Sequence, residues 1–395
     1  MVRMDEYCSS VRDGTHDTPK PTSDGKYLVT SKAIHDNTVD FSSCYFISQK
    51  DFDKINARSK VDKWDVLMTM IGSVGRLLLV QNEPNYAIKN IALFKIGNED
   101  KAKWLYFYLS NKPIQDYFEA VASGTSQHFI GLGHLRKLKI ADFNENSKKI
   151  VSILSAYDNL IENNNKRIKI LEQMAENLYK EWFVRFRFPG HENTPFENGI
   201  PKGWNHKRIS DFYETSSGGT PSRERTDFYE NGTVPWIKTG ELQDSIIIET
   251  EEKITETAVK KSAAKIIPAN SILMAMYGVN IGMLAYTSII ATCNQACCVF
   301  KDKKDISTKH YLFYFLKSIR NYLLTISFGA AQQNISQDLI KRIKILVPND
   351  SILKKFESTI DPIYNHIIAL NKQNQNLIKQ RDLLLPRLMS GKLAV

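Results

Sequence analysis

The stretch Lys149-Ile-Val-Ser-Ile-Leu-Ser-Ala-Tyr-Asp-Asn-Leu-Ile-Glu-Asn-Asn-Asn-Lys-Arg-Ile-Lys-Ile-Leu-Glu-Gln-Met-Ala-Glu-Asn-Leu-Tyr-Lys-Glu-Trp182 decides the fold. Within it Ile150, Leu154, Tyr157, Ile161, Asn164, Ile168, Leu171, Ala175, Leu178 and Trp182 recur at steps of four and three, the a/d seam of a coiled coil. Only Asn164 interrupts the apolar seam. A second stretch, Ile352 to Leu388, shows the same steps at Phe356, Ile360, Ile363, Ile367, Leu370, Asn374, Leu377, Arg381, Leu384 and Leu388, with Asn374 as the matching interruption. Two such helices in one chain are expected to pack on each other. A buried asparagine at such a position costs stability but fixes register, because one alignment lets its amide find a partner. Each helix carries its asparagine near the middle, so antiparallel pairing brings Asn164 and Asn374 together. The plainer alternative is that each helix caps its own globular domain, although heptads this long are uncommon inside domains.

Working outward, 395 residues suffice for two domains and a connecting element. A hydrophobic content of 42% and a charged content of 24% describe a globular chain. No apolar run is long enough to span a bilayer and Met1 to Ser10 is no signal peptide, so a cytoplasmic location is expected. The five cysteines include no CxxC pair, which argues against a disulfide frame or a zinc site. Cys293, Cys297 and Cys298 sit in an apolar run and read as core thiols. The net charge of +10 favours a polyanionic partner, since Lys and Arg gain affinity by releasing counterions from phosphate. A membrane surface would call for a basic amphipathic helix or a polybasic cluster, and neither is present.

The segments before and between the helices read as two copies of one unit. Gly124-Thr-Ser-Gln127 and Gly329-Ala-Ala-Gln332 lie about 205 positions apart, as do Leu138-Lys-Ile140 and Ile343-Lys-Ile345. Val66-Leu-Met-Thr-Met-Ile-Gly72 resembles Ile272-Leu-Met-Ala-Met-Tyr-Gly278, and Asn90-Ile-Ala-Leu-Phe94 resembles Asn294-Gln-Ala-Cys-Cys-Val-Phe300. Val66 to Ile71 and Ile272 to Tyr277 are predicted as buried strands ending in glycine turns. The turns Gly72-Ser-Val-Gly75 and Gly278-Val-Asn-Ile-Gly282 allow close backbone approach. Aromatic-rich helices are predicted over Trp104 to Val121 and Tyr311 to Ile326, with Leu105, Tyr108, Leu109, Tyr117 and Val121 in the core.

Each of these helices runs into a glycine, then a polar loop, then a basic run predicted as strand, Arg136 to Lys139 or Lys341 to Lys344. Gln and Asn can read adenine through paired hydrogen bonds, while Lys and Arg bind phosphate. The same glutamines could instead brace their loops by bonding to backbone. At the unit fronts Asp13-Gly-Thr-His-Asp-Thr-Pro19 lies opposite Ser217-Gly-Gly-Thr-Pro-Ser-Arg223, each followed by a strand, Lys26 to Lys32 or Val234 to Gly240. Their small donors and acceptors suit a groove, and also an ordinary tight turn. The domain plan is therefore a first domain over 1–147, a helix over 148–187, a linker over 188–202, a second domain over 203–350, and a helix with tail over 351–395. There is no GxGxxG or Walker loop, no HExxH, no GxSxG, no Asn/Asp-Pro-Pro-aromatic run and no histidine pair at ligand spacing. Catalysis is thus unsupported.

The order of variable unit, long helix, second unit and second long helix resembles the specificity subunit of type I restriction-modification enzymes. The most specific local matches are Leu171-Glu-Gln-Met-Ala-Glu-Asn-Leu-Tyr-Lys-Glu-Trp-Phe183 and Gln380-Arg-Asp-Leu-Leu-Leu-Pro-Arg-Leu-Met-Ser-Gly-Lys-Leu393, both similar to the family's spacer regions. Val11 to Lys20 and Gly218-Gly-Thr-Pro221 resemble the opening motifs of its target recognition domains. One departure is that only Met1 to Val11 precede the first motif, whereas Gly203-Trp-Asn-His-Lys-Arg-Ile-Ser-Asp211 opens the second, so the first opening strand reads as shortened or missing.

The resemblance implies an α+β fold with two similar α/β recognition domains separated by an antiparallel coiled coil. Each domain would read half of a split site on double-stranded DNA. The helices would set the gap and dock two modification (methyltransferase) subunits, and restriction subunits would join them. A helix of some thirty residues is about 50 Å long, against about 34 Å for one DNA turn. No cofactor is expected on this chain, with S-adenosylmethionine, ATP and Mg²⁺ expected on the partners. The expected DNA contacts are Thr15, His16, Lys20, Ser31, Lys32, Gln127 and His128 in the first domain. In the second they are Thr220, Ser222, Arg223, Lys238, Thr239, Asn280, Gln332, Gln333 and Asn334. The rival readings are a coiled-coil protein-interaction scaffold without DNA specificity, and an enzyme that acts on DNA alone.

Overall fold

The apolar runs on either side of the first glycine turn settle into strands that are buried on both faces. A computed structural model of the chain describes residues 1–35, 37–122, 128–303, 307–327 and 334–395. It divides into two compact units, residues 1–161 with 376–395, and residues 162–375.

In the first unit an antiparallel sheet has the order Ser10–Asp13, Ile91–Lys95, Val66–Thr69, Leu77–Leu79. Because successive strand residues point to opposite faces, a continuous apolar run covers both. Met68 and Phe94 pack with Trp104, Leu105 and Phe118 of the helices Glu99–Ser110 and Lys112–Val121. Leu67 and Leu93 pack on the other face with Val29, Ile34 and Ile88. That face is covered by the sheet Tyr45–Ile47, Lys26–Thr30, Tyr86–Lys89, whose last two strands run parallel. Beyond it Leu28, Ile47 and Ala87 meet Ile55 of the helix Gln49–Ser59, which Ser48 caps by accepting from the Asp51 N–H.

The second unit repeats these layers. Its sheet runs Tyr213–Ser217, Cys297–Asp302, Ser271–Ala275, Leu284–Thr287, then a parallel strand Ser245–Ile247. Leu273 pairs with Val299 as Leu67 pairs with Leu93. Met274, Cys298 and Phe300 face Tyr311, Leu312 and Phe315, while Leu273, Cys297 and Val299 face Ile237 and Cys293. All three of these cysteines are buried.

Three expectations are corrected. Each aromatic helix is two, Glu99–Ser110 with Lys112–Val121, and Lys309–Ser318 with Arg320–Ser327. In the first, Pro113 has no N–H to continue the ladder, and Gln115 Nε2 donates to the Leu109 carbonyl at 2.7 Å instead. Tyr117 is exposed rather than core, because the second helix of the pair starts a new face. The basic runs are strand only in part, since Arg136 and Lys137 close the helix Leu132–Lys137, and Lys341 and Arg342 close Gln337–Arg342. Arg136 reaches from the first of these helices to the Val11 carbonyl at 2.9 Å, and cations are favoured in a last helical turn. The opening strands of the two units differ in length. Val2–Arg3 pairs with Lys139–Ile140, where Asn205–Arg208 pairs with Lys344–Val347 in the second.

The long helices are Glu145–Tyr179, continued by a π turn Lys180–Val184, and Asp350–Met389. Within the first unit Ile150 and Leu154 pack with Leu385 and Leu388, and Arg381 pairs with Asp158 at 2.7 Å. Within the second, Ile168 packs with Ile367 and Leu370, and Phe183 meets Phe356 at 4.7 Å and Tyr311 at 4.6 Å. The two helices therefore run antiparallel within each unit. Glu357, buried on the second helix, accepts the backbone N–H groups of His310 and Tyr311, and burial pushes its carboxyl up to about 8. The stretch 188–202 is packed as well. Phe188 lies 5.1 Å from Trp204, and Phe196–Glu197 pairs with Ile200–Pro201.

Asn164 Nδ2 donates to Asn374 Oδ1 at 2.9 Å, and Asn374 Nδ2 to Asn165 Oδ1 at 2.8 Å, with both seam asparagines buried. Asn164→Leu leaves the buried Asn374 Oδ1 without its donor, and Asn374→Leu leaves Asn164 Nδ2 with Gln373 Oε1 alone. Asn164→Leu and Asn374→Leu are each expected to lower stability by about 1 to 2 kcal/mol, and the double variant to recover most of it. Denaturant unfolding of the four proteins checks this, and additive losses would contradict it.

Candidate nucleic-acid interface

Strand register determines which loops meet. In the first unit Asp13 pairs with Ala92 and Ala92 with Met68, so the end of Ser10–Asp13, the start of Ile91–Lys95 and the end of Val66–Thr69 lie side by side. The Gly14 loop, Asn90 and the Gly72–Gly75 turn therefore leave one end of the sheet. The parallel pair Lys26–Thr30 and Tyr86–Lys89 ends there too, since Lys89 runs into Asn90. The chain resuming at His128 is sewn to the turn, with Gly72 N donating to His128 O at 3.0 Å and Ile130 N to Met70 O at 3.0 Å.

Asn90 joins these parts. Its backbone takes the left-handed conformation, with φ at 55°, which asparagine tolerates better than most residues. Its N–H donates to Thr15 O at 3.2 Å, its carbonyl accepts from Ser31 Oγ at 3.3 Å, and its amide oxygen lies 2.8 Å from His16 Nδ1. His16 Nε2 faces the buried carboxylate of Asp13 at 3.0 Å, and Arg58 binds the same carboxylate. Thr15, His16, Ser31, Lys32 and His128 are thus gathered at one sheet end, while Lys20 is exposed farther along the loop. A groove of about 320 Å³ lies between Thr15 to Pro19 and the helix Gln49–Ser59, with His16, Lys54 and Arg58 in its wall. Gln127 lies outside the described residues.

The second unit builds the same end. Ser217 pairs with Cys298, Ala275 with Cys297, and Ile237 with Cys293. Gly219 N donates to Cys293 O at 2.9 Å and Thr220 Oγ1 to Gln295. Lys238 and Thr239 follow the strand Val234–Ile237, and Asn280 reaches them from the Gly278–Gly282 turn, its Nδ2 donating to Thr239 O at 2.9 Å. Asn334 bridges Tyr277, and Ile335 N donates to Met276 O at 2.8 Å. Thr220, Lys238, Thr239, Asn280 and Asn334 are therefore brought together, with Ser222 and Arg223 farther out on the loop. Gln332 and Gln333 lie outside the described residues.

The two ends differ in how their cations are held. Arg223 sits 4.3 Å over Tyr229 and pairs with Glu252, whose carboxyl that guanidinium holds below its ordinary value. Lys238 pairs with Glu251 at 2.9 Å. Both are thus compensated within the unit. Sequence reading missed Arg76, which follows the first turn and touches His35 Nδ1 at 2.6 Å and, among the described residues, no carboxylate. Its position directly after Gly75 was the available signal. Asn90 and Gln295 were missed as well, because their roles depend on strand pairing. Among the described residues no group of three or more His, Cys, Asp or Glu could hold a metal, and no helix is long and apolar enough to cross a membrane.

Glycine in the opening loops is required by close approach. A Cβ on Gly14 would stand 2.3 Å from Ile88 O, and one on Gly218 would stand 1.9 Å from Cys293 O. Gly14→Ala must push the loop off the end of Tyr86–Lys89, at a cost of about 1 to 3 kcal/mol. A lower unfolding midpoint with DNA affinity reduced is the expected outcome, and an unchanged midpoint would contradict the docked loop.

The family model for the type I restriction modification DNA specificity domain matches residues 2–173 and 201–380. The MjaIX specificity subunit of Methanocaldococcus jannaschii is 28% identical, over 96% of this chain and 86% of its own. The HindI specificity subunit of Haemophilus influenzae is 26% identical, over 89% and 91%. The crystal structure of a type I restriction-modification system S subunit from M. genitalium has the same fold, with a TM-score of 0.57 at 15% identity over 98% of this chain and 95% of that one. Two matched segments, each ending in one of the long helices, account for most of the sequence, and the chain belongs to the type I restriction-modification DNA specificity family.

Proposed function

We propose that this chain is the sequence-reading subunit of a type I restriction-modification complex, with no chemistry of its own, and that each unit reads one half of a bipartite site on double-stranded DNA. The observation that carries the reading is the duplicated sheet end. Each unit directs an opening loop, a glycine turn and the exit of a polar loop to one place, in a chain of net charge +10. Small hydroxyls, amides and cations on braced loops suit base edges and phosphates.

Within that reading Thr15, His16, Ser31, Lys32 and His128 belong to the first reader, with Lys20 and Gln127 flanking them. Thr220, Lys238, Thr239 and Asn334 belong to the second, flanked by Ser222, Arg223, Gln332 and Gln333. Asn90 and Asn280 brace the loops, and Asn164 with Asn374 set the helix register. Recognition domains over 1–147 and 203–350 would be carried by spacer helices over 148–187 and 351–395, onto which two modification subunits and the restriction subunits dock. S-adenosylmethionine, ATP and Mg²⁺ would act on those partners, where a target base is flipped and methylated.

The test is selection of DNA from a random pool by the full chain with its modification subunits, followed by affinity against salt. A split motif and a steep salt dependence are expected. Arg76→Ala is expected to lower the log–log salt slope by about 1 and leave the motif unchanged, as for loss of one phosphate contact. Recovery of no motif, with binding indifferent to salt, would instead favour a protein-interaction scaffold.

A further inference from the structure

The turn Gly278-Val-Asn-Ile-Gly282 presents one apolar side chain to solvent. Val279 is 102% exposed, the most exposed apolar residue among those described. Its backbone is nonetheless held from several sides. Asn280 Nδ2 donates to Thr239 O at 2.9 Å and reaches Gly240 O and Leu242 O at 3.3 and 3.4 Å. Ile281 N donates to Gly278 O at 3.2 Å, Gly282 N to Ala275 O at 2.8 Å, and Arg320 Nε to Gly282 O at 2.9 Å. Valine adds its own stiffness, because branching at Cβ leaves few χ1 states. A braced turn thus carries a stiff methyl pair that stands fully exposed.

We infer that Val279 is a specificity-determining residue of the second unit, reading the 5-methyl group of a thymine in the major groove. This rests on the proposal that the sheet end faces DNA. In the major groove the thymine methyl is the apolar mark that separates A·T from the other pairs, and a small apolar side chain is what recognises it. A protein partner fits less well, because Val279 is the one exposed apolar residue of this turn, between Gly278 and the half-buried Asn280, whereas protein partners favour contiguous apolar patches. The corresponding turn in the first unit is Gly72-Ser-Val-Gly75, whose exposed Ser73 offers a hydroxyl in the same place. The two readers would therefore differ at this position in the kind of base edge they accept.

The complex of the full chain with its modification subunits is titrated against duplexes carrying its selected site, each thymine replaced in turn by deoxyuridine. This exchange removes the methyl and keeps every hydrogen-bonding group. At one thymine the wild-type complex is expected to bind about fourfold more weakly without the methyl, the effect of losing one buried methyl-sized contact. Val279→Ser is expected to bind both duplexes equally at that position, with an unfolding midpoint equal to that of wild type. The proposal is overturned if no thymine responds, if Val279→Ser keeps the fourfold ratio, or if the half-site altered by this variant contains no A·T pair. A complex that selects no sequence overturns the underlying DNA-reading proposal as well.

Discussion

The pairing of two doubly buried strands in each unit, Val66–Thr69 with Ile91–Lys95 and Ser271–Ala275 with Cys297–Asp302, is the constraint on which the rest depends. With both faces covered, a slip of one residue would send Leu67 into the space of Met68 and exchange every side chain between two cores. Register is therefore fixed by packing, and a fixed register decides which loops leave the sheet together. Asp13, Asn90 and Met70 converge because Asp13 pairs with Ala92 and Ala92 with Met68. The candidate DNA interface follows from the hydrophobic core rather than from any single polar residue.

Hydrogen bonds then convert that convergence into rigid loops. Asn90 in the first unit binds the Thr15 carbonyl, the Ser31 hydroxyl and the His16 ring, and Asn280 in the second binds neighbouring carbonyls, so Thr15, Ser31, Thr239 and the turn tips are held in place before any ligand arrives. Ordering done during folding is ordering that binding need not supply. The long helices are tied in by the same logic. Trp182 and Phe183 enter the aromatic core of the second unit, and Leu385 and Leu388 enter that of the first. A helix anchored by large buried side chains can carry a polar Asn164–Asn374 layer at its middle without losing its partner.

Much of this was legible in the sequence because periodicity reports burial directly. The heptads gave both helices, and the conserved order of glycine turns and apolar runs gave the repeat. The break at Asn111 carried a signal, Pro113, but its counterpart at Ile319 carries none, since the split there follows from packing on the sheet. Residue type alone leaves roles open. Asparagine can read adenine or bind a carbonyl with the same amide, and Asn280 binds carbonyls. Arg223 and Lys238, expected as DNA contacts, pair with Glu252 and Glu251, partners that their local sequence does not name. Such roles are set by strand order, which local sequence does not encode.

If the two units are independent readers, each carries its half of the specificity within its own fold. The most direct measurement replaces residues 203–347 by the corresponding segment of a related subunit, expresses the chimera with the modification subunits, and sequences the methylated sites in the host DNA. The expected result is a bipartite motif in which one half changes and the other stays as in the parent. A motif left whole, or one in which both halves change, would contradict it.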